Sequence, residues 1–214
     1  MKIQIWSDVL CPFCYIGKRN LETALQQFEH RDQVQIEWKS FELDPNAPKN
    51  TNPKLVEVLA RKYGKTLAEA QLMNDRMTAS ARSAGLEFHL EKAIPTNSFD
   101  AHRLLQLARK HGLEDHAEEI LFAAYLTEGK DIADPKTLKE LAARMGLPPN
   151  EVQQIFETDI FAAEVRADEE AAYQISIQGV PFFLMEEKFA LSGAQPSDSF
   201  LEALREVWKK TTQN

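Results

Sequence analysis

The sequence has no third cysteine, no excess of positive charge and no long apolar run, and each absence removes a class of protein. No apolar stretch approaches the roughly 20 residues that span a bilayer. The N-terminal run Met1-Lys2-Ile3-Gln4-Ile5-Trp6 lacks the apolar centre of a secretory signal and reads as the start of a strand. The chain is therefore expected in the cytoplasm, with no membrane partner. Acidic residues outnumber basic ones by 33 to 25, a formal net charge of -8. Such a surface repels phosphate backbones and anionic lipid, so nucleic acid is not an expected partner either. The 214 residues are 43% hydrophobic, enough for one large domain or a domain carrying an insertion.

What is present is a single pair of cysteines, spaced Cys11-Pro12-Phe13-Cys14. The pair stands at the end of a strand-like run and the start of a helix-like one. Residues three apart on a first helical turn share a face, so the two sulfurs come within disulfide reach. Cys11, at or just before the first helical position, meets unpaired N–H groups and the positive end of the helix dipole, both of which favour a thiolate. Cys14, one turn in, is expected to be more buried and less acidic. That asymmetry makes Cys11 the nucleophile and Cys14 the resolving thiol of a disulfide exchange. Pro12 suits the first turn because it has no N–H to satisfy there.

Periodicity supplies the frame. Ile3 and Ile5 alternate with polar residues, Leu21, Leu25 and Phe28 follow at helical spacing, and Val34, Ile36 and Trp38 alternate again. This is a βαβ unit, which implies parallel pairing. Asp44-Pro45-Asn46-Ala47-Pro48 and Asn52-Pro53 form a turn-rich boundary. Helix punctuation then dominates for more than a hundred residues. Thr66 and Glu69 have capping-box spacing ahead of a Met73, Met77, Ala81 stripe assigned to the core, with Gly85 as the stop. Ser98 opens a helix with Ala101, Leu104, Leu105 and Ala108 inward. Asp134-Pro135 and Pro148-Pro149 start two more. A long helix runs from about 160 to 176 through Phe161, Val165 and Ala172, with Asp168-Glu169-Glu170 as a solvated face. Strand character returns in Phe182–Met185 and Phe189–Leu191, a hairpin closed by Glu186-Glu187-Lys188. Pro196-Ser197 starts a final amphipathic helix. The fold class is α/β in the order βαβ…ββα, with a large α-helical insertion between the second strand and the C-terminal hairpin. In residues, 1–44 and 176–214 form the sheet domain and 45–175 the inserted helical subdomain.

Gly179-Val180-Pro181-Phe182 is the second informative element. A proline just before a strand cannot donate to a ladder. Beside a reactive dithiol, a cis Val180-Pro181 bond would leave the Val180 backbone to pair with an extended substrate and would shield the sulfurs from metal ions. The remaining candidates have plainer readings beside the functional ones. Asp8 is either a local turn and cap group or a proton relay for Cys14. Phe13 either contacts substrate or fills the groove mouth. His102 is a packing histidine or an acid–base group. Asn97 lies in a helix-start signal, Pro95-Thr96-Asn97-Ser98. The alternatives for the cysteine pair are half of a zinc site, for which the histidines are badly spaced, and a structural disulfide, whose loop is too short to constrain much of the unfolded chain.

Taken in order, Asp8 through Gly17, Ala101-His102-Arg103-Leu104, Gly179 through Phe183 and Ser192-Gly193-Ala194-Gln195-Pro196 resemble the DsbA-like branch of the thioredoxin fold, and within it the FrnE-type, often cytoplasmic, subfamily. The resemblance spans essentially the whole chain. It implies a thioredoxin fold and thiol–disulfide oxidoreductase or isomerase activity on protein or small-molecule disulfides, with Cys11, Cys14 and Pro181 on the active-site positions and Val180, Pro12 and Phe13 beside the substrate. It also keeps Asn97 as a cleft-lining candidate, since nearby members use that region. No bound cofactor or metal is implied beyond the redox-active disulfide itself, with glutathione as a candidate co-substrate. The chain would act as a monomer or homodimer. Phe13 stands where DsbA proper carries a histidine, which implies a less acidic Cys11 and a less oxidising couple. Related glutathione-dependent enzymes, the kappa-class transferases and 2-hydroxychromene-2-carboxylate isomerases, typically have serine where Cys11 stands. They supply the alternative reading, a glutathione-dependent isomerase or transferase. A client-binding module in which turnover is incidental is the third.

Overall fold

A computed structural model describes residues 1–49 and 53–212. Asn52 of the expected boundary lies outside the described residues. Strand β1 spans Lys2–Ser7, helix α1 Pro12–Gln27 and strand β2 Gln35–Ser40. β1 and β2 are parallel, with Ile5 opposite Trp38. Strands β3 (Phe182–Met185) and β4 (Phe189–Ser192) form an antiparallel hairpin whose first strand pairs with β1, placing Phe183 against Ile5. The sheet order is β2-β1-β3-β4. Alternation explains the placement: Ile3, Ile5, Phe183 and Met185 point to one side and are fully buried there. That side is covered by Leu21, Ala24 and Phe28 of α1 and its C-cap, and by Phe200, Leu204 and Val207 of α9, which spans Ser197–Thr212.

Between β2 and β3 the chain is helical: α2 (Leu55–Tyr63), α3 (Leu67–Ser83), α4 (Phe99–Lys110), α5 (Glu114–Leu126), α6 (Pro135–Met145), α7 (Pro149–Glu157) and α8 (Ala162–Gln174). The caps are those the residues dictate. Thr66 Oγ1 accepts from the Glu69 N–H while the Glu69 carboxylate accepts from the Thr66 N–H. Asp134 accepts from the Thr137 N–H at 2.9 Å, and Gly146 ends α6 in the left-handed region at φ 78°. Helix α2 went unread in the sequence because Lys54 and Glu57 cap it where no Ser, Thr, Asp or Asn marks a start. The expected turn at Asp44 is present, with the Ala47 N–H on the Asp44 carbonyl at 3.0 Å. No helix among the described residues is long and apolar enough to cross a membrane.

Two expectations need correction. Asp168 does not lie on a solvated face but is 6% exposed, accepting from the Ser40 N–H at 3.1 Å and Gln106 Nε2 at 2.8 Å. Lys39 Nζ and Arg109 Nη2 stand at 3.1 and 3.2 Å from the same carboxylate. The cause is helical spacing. Asp168 falls on the stripe of Val165 and Ala172, and α8 packs that stripe on β2. Glu169 is also engaged, accepting from the Glu42 N–H at 3.1 Å, so only Glu170 is solvated. Met73 and Met77 are half-buried, and the core position on that face belongs to Ala81.

Candidate active site

The turn from β1 into α1 builds the site. The Cys11 N–H bonds the Asp8 carbonyl at 2.9 Å, so the chain closes a tight turn and delivers Cys11 to the N-cap of α1 in extended geometry. Pro12 takes the first helical position, and the Cys14 N–H bonds the Cys11 carbonyl at 3.0 Å. No acidic residue occupies the first turn, so nothing competes with a sulfur for the positive helix end. Both cysteines are free thiols, and they approach each other to 3.5 Å without bonding.

Their surroundings differ. Cys11 is 4% and Cys14 1% exposed. The Cys11 thiol donates to the Val180 carbonyl at 3.6 Å. Burial pushes the Cys14 thiol well up, and the neighbouring Cys11 adds to that shift. The Asp8 backbone N–H and the Ser7 hydroxyl face the Cys14 sulfur and pull the other way. The Ser7 oxygen has no other partner in hydrogen-bond geometry.

The Val180–Pro181 peptide is cis, and the Pro181 carbonyl accepts from the Gly193 N–H at 2.8 Å, which anchors the loop to the end of β4. Gly17 makes this approach possible. A Cβ there would lie 3.1 Å from both the Pro181 ring and the Phe183 ring. A groove of about 380 Å³ runs along Gly179–Phe182 and the start of the Ser192-Gly193 turn. On α1, Phe13 is 49% exposed, with Pro12 half-buried beside it.

The other candidates separate into two groups. Asp8 is fully buried; its carboxylate accepts from the Leu10 N–H at 3.1 Å and the Leu43 N–H at 2.8 Å, and faces His102 Nε2 at 3.5 Å. His102 is therefore brought to the back of the cysteine turn, by a helix far away in sequence. Asn97 is not. Its Oδ1 accepts from the Phe99 N–H at 3.0 Å at the start of α4, and its amide turns toward Glu42 and the Pro45 carbonyl. In these bonds it serves as a turn group ahead of α4. Sequence reasoning missed Ser7 and Glu118. The signal for Glu118 was there: it shares a helix face with Leu121, Phe122 and Tyr125, an acid inside an apolar stripe. Burial pushes its carboxyl up to about 8, against the pull of His102 and Lys18.

Comparison with known proteins agrees with this geometry. The model of the DSBA-like thioredoxin domain matches residues 2–205. The probable DsbA oxidoreductase SCO1869 from Streptomyces coelicolor superposes with a TM-score of 0.93 at 37% identity, covering 98% of this chain and 90% of that one. The cytosolic disulfide reductase DsbM from Pseudomonas aeruginosa, in a structure with GSH, has a TM-score of 0.69 at 16% identity over 98% of this chain and 100% of its own. A 2-hydroxychromene-2-carboxylate isomerase has a TM-score of 0.67 at 14% identity, over 100% and 98%. The last two likenesses concern the fold alone. The fold class expected from the sequence is the one found, a thioredoxin-like α/β sheet with a helical insertion.

Proposed function

The chain belongs to the DsbA-like thioredoxin-domain family, and from that premise we propose that it is a thiol–disulfide oxidoreductase or isomerase worked by Cys11 and Cys14. The observation that carries this reading is the pair of free thiols 3.5 Å apart on the first turn of α1, one of them facing Val180. Cys11, as thiolate, attacks one sulfur of a substrate disulfide. A mixed disulfide forms and the first substrate thiolate leaves and takes up a proton. Cys14 then gives up its proton toward Asp8, attacks the Cys11 sulfur and expels the second substrate thiolate. The substrate gains two electrons and the enzyme keeps a Cys11–Cys14 disulfide. Val180 and Pro181 are the platform along which an extended substrate lies, with Phe13 and Pro12 at the rim.

Glutathione or a thioredoxin-type partner returns the disulfide to the dithiol. Sharing a fold with a reductase solved together with GSH supports the first. Phe13 supports a reducing or reshuffling direction, because it offers no charge-assisted hydrogen bond to the sulfurs, and a cytoplasmic setting fits that direction.

The test is a redox titration in glutathione buffers, acid-quenched and read by mass spectrometry. The expected result is reversible loss of two hydrogens by the wild-type chain and no such step in Cys11→Ser. A stable glutathione adduct on Cys11 with no internal disulfide would defeat the dithiol reading. It would favour the glutathione-dependent isomerase or transferase.

A further inference from the structure

We propose that His102 is a positioning residue for the Cys14 half of this site: from α4 it supplies the buried positive charge that Phe13 cannot, and with Asp8 and Glu118 it governs the proton of Cys14. The inference rests on the dithiol reading above and deepens it.

The geometry is that of an unsatisfied interior cluster. His102 is fully buried, and neither ring nitrogen has a hydrogen-bond partner among the described residues. Asp8 Oδ1 stands 3.5 Å from Nε2, an ion-pair distance and too long for a hydrogen bond. Glu118, on α5, is 2% exposed, and its Oε2 is also without a partner among the described residues. Unpaired polar groups in a dry interior are costly, so an unpaired histidine and an unpaired acid facing each other there need a reason.

The titratable groups facing His102 come from three directions. Asp8 approaches from the turn before α1, Glu118 from α5 and Glu42 from the segment after β2. Glu42 already holds Arg166, at 2.5 Å. Tyr125 of α5, which also feels Asp8, is pushed up by burial and stays a neutral phenol. Glu118 in turn is faced by Lys18 of α1, Asp115 of α5, Asp8 and His102. Burial favours the neutral imidazole, but Asp8 first, with Glu42 behind it, outweighs it and moves His102 up. Glu118, raised to about 8, stays protonated at neutral pH and leaves that positive charge uncancelled.

The link to sulfur runs through Asp8. Its backbone N–H, with the Ser7 hydroxyl, faces Cys14, while its carboxylate faces His102. Forming a thiolate at Cys14 puts a second negative charge beside Asp8 in a low-dielectric site. In the resolving step the Cys14 proton passes to Asp8 and the imidazolium stays as counter-charge to the new thiolate, so the pocket's net charge does not change. Once the Cys11–Cys14 bond forms, Asp8 returns the proton to solvent or to the departing thiolate.

A Cys11→Ser background leaves Cys14 as the sole thiol, and its ultraviolet thiolate absorbance against pH tests this directly. His102→Gln should move the Cys14 curve upward by about one pH unit, a roughly tenfold loss of thiolate at fixed pH. In a Cys14→Ser background, His102→Gln should leave the alkylation rate of Cys11 unaltered. Glu118→Gln should narrow the Cys14 curve, because no new carboxylate then develops near pH about 8. A Cys14 curve indifferent to His102→Gln overturns the proposal. Should that variant not fold, nitrogen NMR of His102 in the unmutated chain decides instead. The proposal requires an imidazolium whose shifts change when the Cys11–Cys14 disulfide forms, or when Cys14 ionises in the Cys11→Ser chain. A neutral, unresponsive ring overturns it. A chain that never forms the internal disulfide defeats the dithiol reading, whereas the Cys14 titration still decides the role of His102.

Discussion

The Trp6 indole donates to the backbone carbonyl of Asp168 at 2.9 Å, a bond between residues 162 positions apart. It ties the central strand of the sheet to the last helix of the insertion, and the Asp168 side chain completes the joint through Ser40, Gln106, Lys39 and Arg109. The two layers that frame the cysteine turn are held together at this residue.

Replacing Asp168 with alanine strips two cations and a backbone N–H of their acceptor. Breaking a buried charge cluster from one side costs about 3–5 kcal/mol, and Asp168→Asn, which keeps an acceptor, should lose less. Urea unfolding of the two variants against the parent checks the order. Equal losses would mean that the neutral acceptor contributes nothing and that the carboxylate charge carries the whole effect.

Cys14→Ser should stop turnover after the first step, since Cys11 keeps its place at the helix N-cap and its contact with Val180. The expected outcome is a mixed disulfide on Cys11 that persists until an external thiol is added, seen as a mass adduct under non-reducing conditions. Rapid spontaneous release of that adduct would count against Cys14 as the resolving thiol.

Gly17→Val sets a branched side chain against the Pro181 and Phe183 rings, each already 3.1 Å from a bare Cβ. Overpacking of this kind costs about 1–3 kcal/mol. It should also displace the Val180 carbonyl from Cys11. Denaturant unfolding reads the first effect, and the mixed-disulfide rate with a peptide substrate the second. A variant as stable and as fast as the parent would show that the loop yields freely.

Glu118 gives stability a direction with pH. It is an acid whose folded pKa, about 8, lies above the unfolded value of 4.5, so the folded state holds the extra proton between them. Its contribution is full below 4.5 and is lost as pH rises to about 8. Glu37 runs the opposite way. Burial raises it, but Lys2 and Lys39 pull it down to about 2, so its contribution is present above 4.5 and lost as pH falls toward 2. Thermal unfolding between pH 5 and 9 should show the midpoint of the parent fall on the alkaline side and that of Glu118→Gln fall less. Parallel curves would place Glu118 outside this linkage.

Much of this was legible from residue order. Alternation at Ile3 and Ile5, the Asp134-Pro135 cap and the return of apolar pairs at Phe182 to Met185 each depend on local rules, and each element formed where those rules put it. The cysteine turn was legible for the same reason, since an N-cap and a first turn are local structures. What failed to show was contact between elements. Asp168 reads as surface charge until α8 lies on β2, and Glu118 reads as one more acid on α5 until α4 covers it. His102 could be named from its motif, but its partner Asp8 becomes visible only when two segments far apart in sequence meet.

Trp6 also makes the molecule its own optical instrument. Its ring stands edge-on to Phe182 at 6.2 Å, one residue past Pro181, and its chain neighbour Ser7 faces Cys14. The other two tryptophans sit elsewhere: Trp38 donates toward Asp115, and Trp208 stacks on His30 at 4.3 Å. Of the three, Trp6 is therefore the one whose emission should follow the thiol state. Disulfide closure can thus be followed by the native fluorescence of an unlabelled sample.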